Sequence, residues 1–391
     1  NDPINVPNFI MSTTTGSTLG GTLDIQHTNT TNGNFQFFNG CAATIDTSTV
    51  YANGNVYVND ATFAFTGTNT VEMRNNRGAT ASLWSDRPVI NPVVTMVNLT
   101  LNKTPGGAGS QVDIGSDVIV SGVLDVRGNT IVNGMLGTNG PIQLTGTGTV
   151  LTTNGTSGSF TSGTAIEVIG TGAQTLTSGF PLGVVIVRKT SGTMTVGAGG
   201  LQTGVFQIQD GTVDLNGQTL RVNGWMEVGN GTPPGGVTPV LLCNNASSLL
   251  QVIAPSSAIS DGSLFWLADA SGTSVLSAGQ FDLEGNLDVR GTQQGANVTW
   301  APPGTHKGRM CQNRGSAVTA SSTQIPHDPS GSLYQNATGT PLATLVLQDF
   351  EIAKSGTTGN GTRVDLNLTD VAVRGLFTLT SGTVNTATGG G

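Results

Sequence analysis

The chain has 391 residues, 36% of them apolar and only 10% charged, with 57 glycines and a formal net charge of −8. A sequence this acidic, with no cluster of Lys or Arg, offers nothing to a phosphate backbone, which excludes nucleic acid as a partner. No apolar run approaches the ~20 residues of a membrane helix, and the high net charge that marks a disordered chain is missing.

The opening stretch, Asn1-Asp-Pro-Ile-Asn-Val-Pro-Asn-Phe-Ile10, is extended in character and carries Ile4, Val6, Phe9 and Ile10. At Gly21-Thr-Leu-Asp-Ile25 begins a short word, a glycine followed by alternating apolar residues. It returns as Gly122-Val-Leu-Asp-Val126, Gly204-Val-Phe-Gln-Ile208, Gly285-Asn-Leu-Asp-Val289 and Gly375-Leu-Phe-Thr-Leu379, at intervals of 101, 82, 81 and 90 residues. Between the first two copies, residues 75–92 read as an irregular loop insertion carrying Trp84. A second word then appears, Leu101-Asn-Lys-Thr-Pro-Gly106, and returns as Val187-Arg-Lys-Thr-Ser-Gly192, Leu267-Ala-Asp-Ala-Ser-Gly272 and Ile352-Ala-Lys-Ser-Gly356. Two words sharing one long period mean an internal repeat of about 80–100 residues, the mark of a solenoid or an array.

The segment from Ile166 to Gly224 is the best-formed unit. Seven strand-like pieces follow one another near every ten residues, among them Val184-Val-Ile-Val187, Thr193-Met-Thr-Val196 and Thr219-Leu-Arg-Val222, separated by Gly, Asn, Ser or Asp. Alternation of this kind predicts β-strands, and no three-turn amphipathic helix is found. The predicted fold class is therefore all-β: a right-handed parallel β-helix running as one continuous solenoid over residues 1–391, with about twenty residues or slightly more per rung. Tandem β-sandwiches are the competing fold, disfavoured because no period holds an aromatic core.

Further along, Cys41, Cys243 and Cys311 are scattered without metal-ligand spacing. A Cys243–Cys311 bridge in an oxidising compartment stands beside free, buried thiols as the alternative readings. Residues 301–342 break the pattern as a second, proline-rich insertion that follows Trp300 and holds His306 and His327, expected on a solvated loop. Trp84 and Trp300 are the candidate glycan-contact residues, since an indole on an exposed loop can stack on a sugar ring. Phe377 and Leu379 fall in the last copy of the glycine word, and Val384 follows just beyond it.

The fullest form of the words is Val185-Ile-Val-Arg-Lys-Thr-Ser-Gly192 with Gly204-Val-Phe-Gln-Ile-Gln-Asp-Gly-Thr-Val-Asp-Leu-Asn-Gly217. It resembles the Gly/Thr/Asn-rich repeats of large secreted or surface-attached bacterial β-helix proteins, adhesin-like or structural. The resemblance implies an extracellular or cell-surface location and supplies no functional residue.

Polysaccharide-degrading β-helix enzymes and tailspikes need acidic groups ~5–9 Å apart. Asp24, Asp125 and Asp288 hold the same place in a repeated word and are expected ~19 Å or more apart along a stack. No nucleophile elbow or phosphate loop is present, and neither cofactor nor metal is expected. The sequence thus points to a non-catalytic extracellular structural protein, a subunit of a surface filament or sheath. Its partners are copies of itself joined head to tail, or a longer parent chain. The assembly residues would be Ile4, Val6, Phe9 and Ile10 at one end and Phe377, Leu379 and Val384 at the other. An adhesin rod binding surface glycans through exposed loops is the alternative, and an enzyme or tailspike comes third.

Overall fold

The computed structural model describes residues 4–5, 9–11, 17–19, 22–25, 34–37, 43–46, 49–58, 64–74, 80–84, 93–103, 110–134, 141–154, 158–161, 163–229, 239–254, 262–266, 276–285, 287–289, 298–300, 304–312, 323–324, 343–354, 363–365 and 369–385. The protein is all-β, and the described residues contain no α-helix. None of them forms a helix long and apolar enough to cross a membrane. Every strand pairing whose register is described is parallel, so the antiparallel hairpins that tandem sandwiches require are not among them. The chain divides into two compact units, Asn1–Val185 and Ile186–Gly391.

In the first unit one stack runs through Leu23, Val50, Val71, Leu99, Leu124, Leu151 and Leu176, each in register with the next. A second runs through Val94, Val118, Ile142 and Ile166, and a third through Val112, Val132 and Phe160. The chain visits them in a fixed order. Strand Val93–Met96 leads to Asn98–Lys103 and Gln111–Ile114, and then Asp117–Val120, Leu124–Gly128 and Ile131–Gly134 repeat the circuit one step on.

Period-two alternation sends one face of each strand inward. Leu23, Val50, Val71, Leu99 and Leu124 are all buried, as are Ile25, Ala52, Met73, Leu101 and Val126 two residues on. A fully buried leucine contributes roughly 2–3 kcal/mol by transfer from water, so the stacked columns are the main source of stability. The step between stacked positions in this column is about twenty residues or more, from 21 (Val50 to Val71) to 28 (Val71 to Leu99). Four such steps separate the first two copies of the glycine word.

The second unit is built the same way. Leu220, Leu250 and Phe281 stack in register, and Gly308, Phe350 and Phe377 continue the column. Phe206, Met226, Leu264 and Leu287 form a parallel one. The strand-like pieces predicted between Ile166 and Gly224 partly fuse, into Leu182–Val196 and Leu201–Asp214.

Both expected insertions contain regular structure. Within 75–92 lies strand Ala81–Trp84, paired on both sides. Within 301–342 lies strand Lys307–Gln312, held between Gln280–Leu283 and Asp349–Lys354. This strand hides from pattern reading because glycine takes an inward position. A Cβ on Gly308 would fall about 2.5 Å from the Phe281 ring, so the aromatic fills the space that a side chain at 308 would occupy.

Candidate functional site

Two recurring corners position the strand edges. The first explains the opening glycine of the repeated word. Asn98 Oδ1 accepts the N–H of Val123 (2.9 Å), the residue after Gly122, while Gly122 N–H donates to Val97 O (2.7 Å). In the second unit Asp349 Oδ1 accepts the N–H of Leu376 (2.8 Å), and Gly375 N–H donates to Gln348 O (2.7 Å). In both corners an Asx carboxamide or carboxylate lies under the glycine. A Cβ at Gly122 or Gly375 would run into that side-chain oxygen and come within 2.8 Å of the carbonyl of Val97 or Gln348.

The second corner explains the lysine of the other word. Lys103, Lys189 and Lys354 are 1%, 0% and 2% exposed, although lysine is almost never fully buried. Lys103 Nζ donates to Arg74 O (3.2 Å), one step back, and to Asn53 O (2.9 Å), two steps back. Lys354 Nζ does the same with Cys311 O (3.0 Å) and Glu284 O (2.9 Å). The ammonium of Lys103 and that of Lys354 thus each donate to two carbonyls of earlier strands. A left-handed glycine lies over the lysine: Gly128 (φ 64°) is in register with Lys103, and a Cβ on Gly211 (φ 82°) would press on Lys189 O. Burial pushes the Lys189 ammonium down to about 8.

The outward face is polar and internally paired. Arg74 reaches Asp24 (2.6 Å) and lies 3.8 Å over the Tyr51 ring, and Asp125 is bound by Arg127 (2.6 Å) and Thr152 (2.9 Å). The register runs Asp24, Tyr51, Glu72, Thr100, Asp125, which places four strand spacings, about 19 Å, between the two aspartates. Among the described residues no group of three or more His, Cys, Asp or Glu is arranged to hold a metal.

The other residues singled out by sequence fall as follows. Trp84 ends strand Ala81–Trp84 in register with Tyr57, and Trp300 ends Val298–Trp300 in register with Leu345, so both lie in strands and not on loops. His306 is buried and stacks on Phe281 with ring centroids 6.0 Å apart, which corrects the solvated loop expected there. Cys243 and Cys311 are both free thiols, so the bridge between them is absent. Cys243 packs beside Ser248 and Gly279 while Cys311 sits in register with Ala353, and burial raises both thiols to about 11. Val6, Cys41, His27 and His327 lie outside the described residues.

Of the assembly candidates, Ile4 lies in strand Ile4–Asn5, and Phe9 and Ile10 in Phe9–Met11. Val384 is half-buried in Thr383–Asn385. The geometry of interest is at strand Phe377–Ser381. Phe377 and Leu379 stand in register on Phe350 and Ile352. The lower pair is 1% and 0% exposed, whereas Phe377 is 47% exposed and Leu379 50%, with Leu376 beside them at 67%. These three are the exposed large hydrophobic side chains among the described residues.

No protein-family model, curated protein or solved structure matches this chain.

Proposed function

We propose that each unit coils as a right-handed parallel β-helix, and that the protein is a non-catalytic structural subunit of an extracellular filament or sheath, associating end to end. The coil is supported by the fixed order in which the chain visits its parallel stacks. The function rests on one observation: Phe377 and Leu379 occupy core positions of the apolar column, yet half their surface faces solvent. An exposed apolar strand is a template for another strand. The non-catalytic part of the reading is supported by Asp24 and Asp125, which are four strands apart and each held by an arginine. The extracellular part is supported by the low charge and the Gly/Thr/Asn-rich words.

Sedimentation velocity over a concentration series, with electron microscopy of the same samples, tests the proposal. The unmodified chain is expected to lengthen with concentration. Replacing Phe377→Asp and Leu379→Asp is expected to weaken association about tenfold or more, since charges would have to be buried at the joint. Single particles at every concentration would overturn end-to-end association and leave the adhesin rod, or a surface covered by further chain, as the reading.

A further inference from the structure

We infer that His306 is an acid-sensitive latch on the corner at Gln348–Asp349: as the neutral imidazole it holds that corner closed, and on protonation it releases it.

One residue makes both bonds of the latch. Gln348 N–H donates to His306 Nε2 (3.4 Å), and Asp349 N–H donates to His306 O (3.3 Å). The ring is 1% exposed and stacks on buried Phe281. An Nε2 that accepts a hydrogen bond carries no proton, so the ring in this corner is neutral with its hydrogen on Nδ1. A proton added at Nε2 would set one donor against another and place a charge in a buried site against an aromatic face.

The same corner recurs along the second unit with other residues. Gln218 O accepts the N–H of Leu249 (3.1 Å), Ser248 O that of Gln280 (3.0 Å) and Gly279 O that of Lys307 (2.9 Å), each one residue before a strand. Of Gln218, Ser248, Gly279, His306 and Gln348, His306 alone titrates near neutral pH. In the first unit the buried Asn69 holds the equivalent place, its carbonyl accepting the N–H of Asn98 (3.2 Å).

The charged groups on the surrounding strands are engaged elsewhere. Asp282 pairs with Arg309 (2.7 Å) and Glu351 with Lys307, while Asp349 Oδ1 turns to the N–H of Leu376 (2.8 Å) on the following strand. Lys354 bonds the carbonyls of Glu284 and Cys311, and Glu284 Oε2 accepts the N–H of Ala254 (2.9 Å). Cys243, beside Gly279, is kept protonated by burial, with its thiol raised to about 11, and the nearby Asp214 accepts the N–H of Asn216 (2.8 Å). Arg374, one step beyond Leu347, is exposed.

In the open corner the imidazole meets water and takes a proton below its ordinary value of about 6.5, whereas the closed corner holds it neutral. The open form thus binds more protons as pH falls. The latch is complete above about pH 7.5 and loses ground progressively below about 6.5, loosening the start of strand Asp349–Lys354.

Hydrogen–deuterium exchange of the whole chain, read by mass spectrometry of peptic peptides and corrected for intrinsic rates, tests this. Between pH 7.5 and 5.0, protection over residues 347–350 is expected to fall at least about tenfold, toward a limit of roughly thirtyfold set by an ordinary imidazole. Protection at the Asn69–Asn98 corner is expected to fall less than about twofold over the same range. His306→Asn, which installs the side chain used at Asn69, is expected to remove the difference between the corners, and His306→Gln is the second uncharged replacement. Circular dichroism checks that each variant folds. Protection over 347–350 that does not change with pH, or an equal fall at both corners of the unmodified chain, overturns the inference, and this comparison stands without either variant. An undiminished fall in a folded variant overturns it as well, and assigns the acid response to another group.

Discussion

A lysine ammonium is the group least expected in the middle of a strand stack, yet three occupy the same place in the repeated word. At Lys103 and Lys354 the reason is visible, because the ammonium ties the carbonyls of two earlier strands to its own. At Lys189 the cost is visible as well. Its folded value of about 8 lies below the ordinary 10.5, so folding disfavours the charged form. Below pH 8 the side chain is charged in both states and the penalty is fully present. It shrinks as pH rises from 8 to 10.5 and is gone above that. Lys189→Met is therefore expected to lose ground against the wild type by about 1–3 kcal/mol as pH rises from 7 to 10, on top of any constant offset from lost contacts. Denaturant titrations of both proteins at the two pH values measure this, and a difference that does not change with pH removes Lys189 from the account.

At the scale of the element, the glycine corner sets which residue may follow which. Asn98 and Asp349 each cap the N–H of the next strand, and the glycine between them leaves the room. Gly122→Ala is expected to cost about 1–3 kcal/mol, because its Cβ meets backbone at Val97 that cannot turn aside. Chemical denaturation with an unchanged m-value checks it, and a cost below about 0.5 kcal/mol would show that the corner gives way. Much of this architecture is legible in the sequence. The alternation of Leu124, Asp125 and Val126 reads directly as strand, and Gly122 and Gly375 mark real corners. Other parts are not. His306-Lys-Gly-Arg-Met-Cys-Gln312 reads as loop because Gly308 stands where an apolar residue belongs, and only Phe281, one strand away, supplies the missing volume. Lysine reads as surface in any local pattern. Its burial is betrayed only by its return at one position of the word in a chain otherwise poor in lysine. Trp84 and Trp300 read as loop residues because irregular, proline-bearing segments follow them, although the backbone at both is in parallel register.

At the scale of the whole molecule, the question is which interactions hold so many weakly amphipathic strands together. Disulfides among the described residues do not, since Cys243 and Cys311 are free thiols. The two most open of the described ion pairs contribute little. Arg127 is 46% exposed in its pair with Asp125 and Lys307 42% in its pair with Glu351. Pairs this open are worth about 0–1 kcal/mol each and are screened by salt. What remains is the stacking of apolar columns, each strand closing over the one before. Melting curves should therefore be nearly indifferent to reductant and to sodium chloride, moving by no more than about 2 °C between low and high salt. Leu124→Ala should behave differently. Leu124 is fully buried between Leu99 and Leu151, and neighbours locked in parallel register on both sides cannot collapse into the space it leaves. The expected loss is about 2–5 kcal/mol. If salt or reductant instead lowers the melting temperature as much as Leu124→Ala does, charge pairing or covalent linkage carries stability here assigned to the columns.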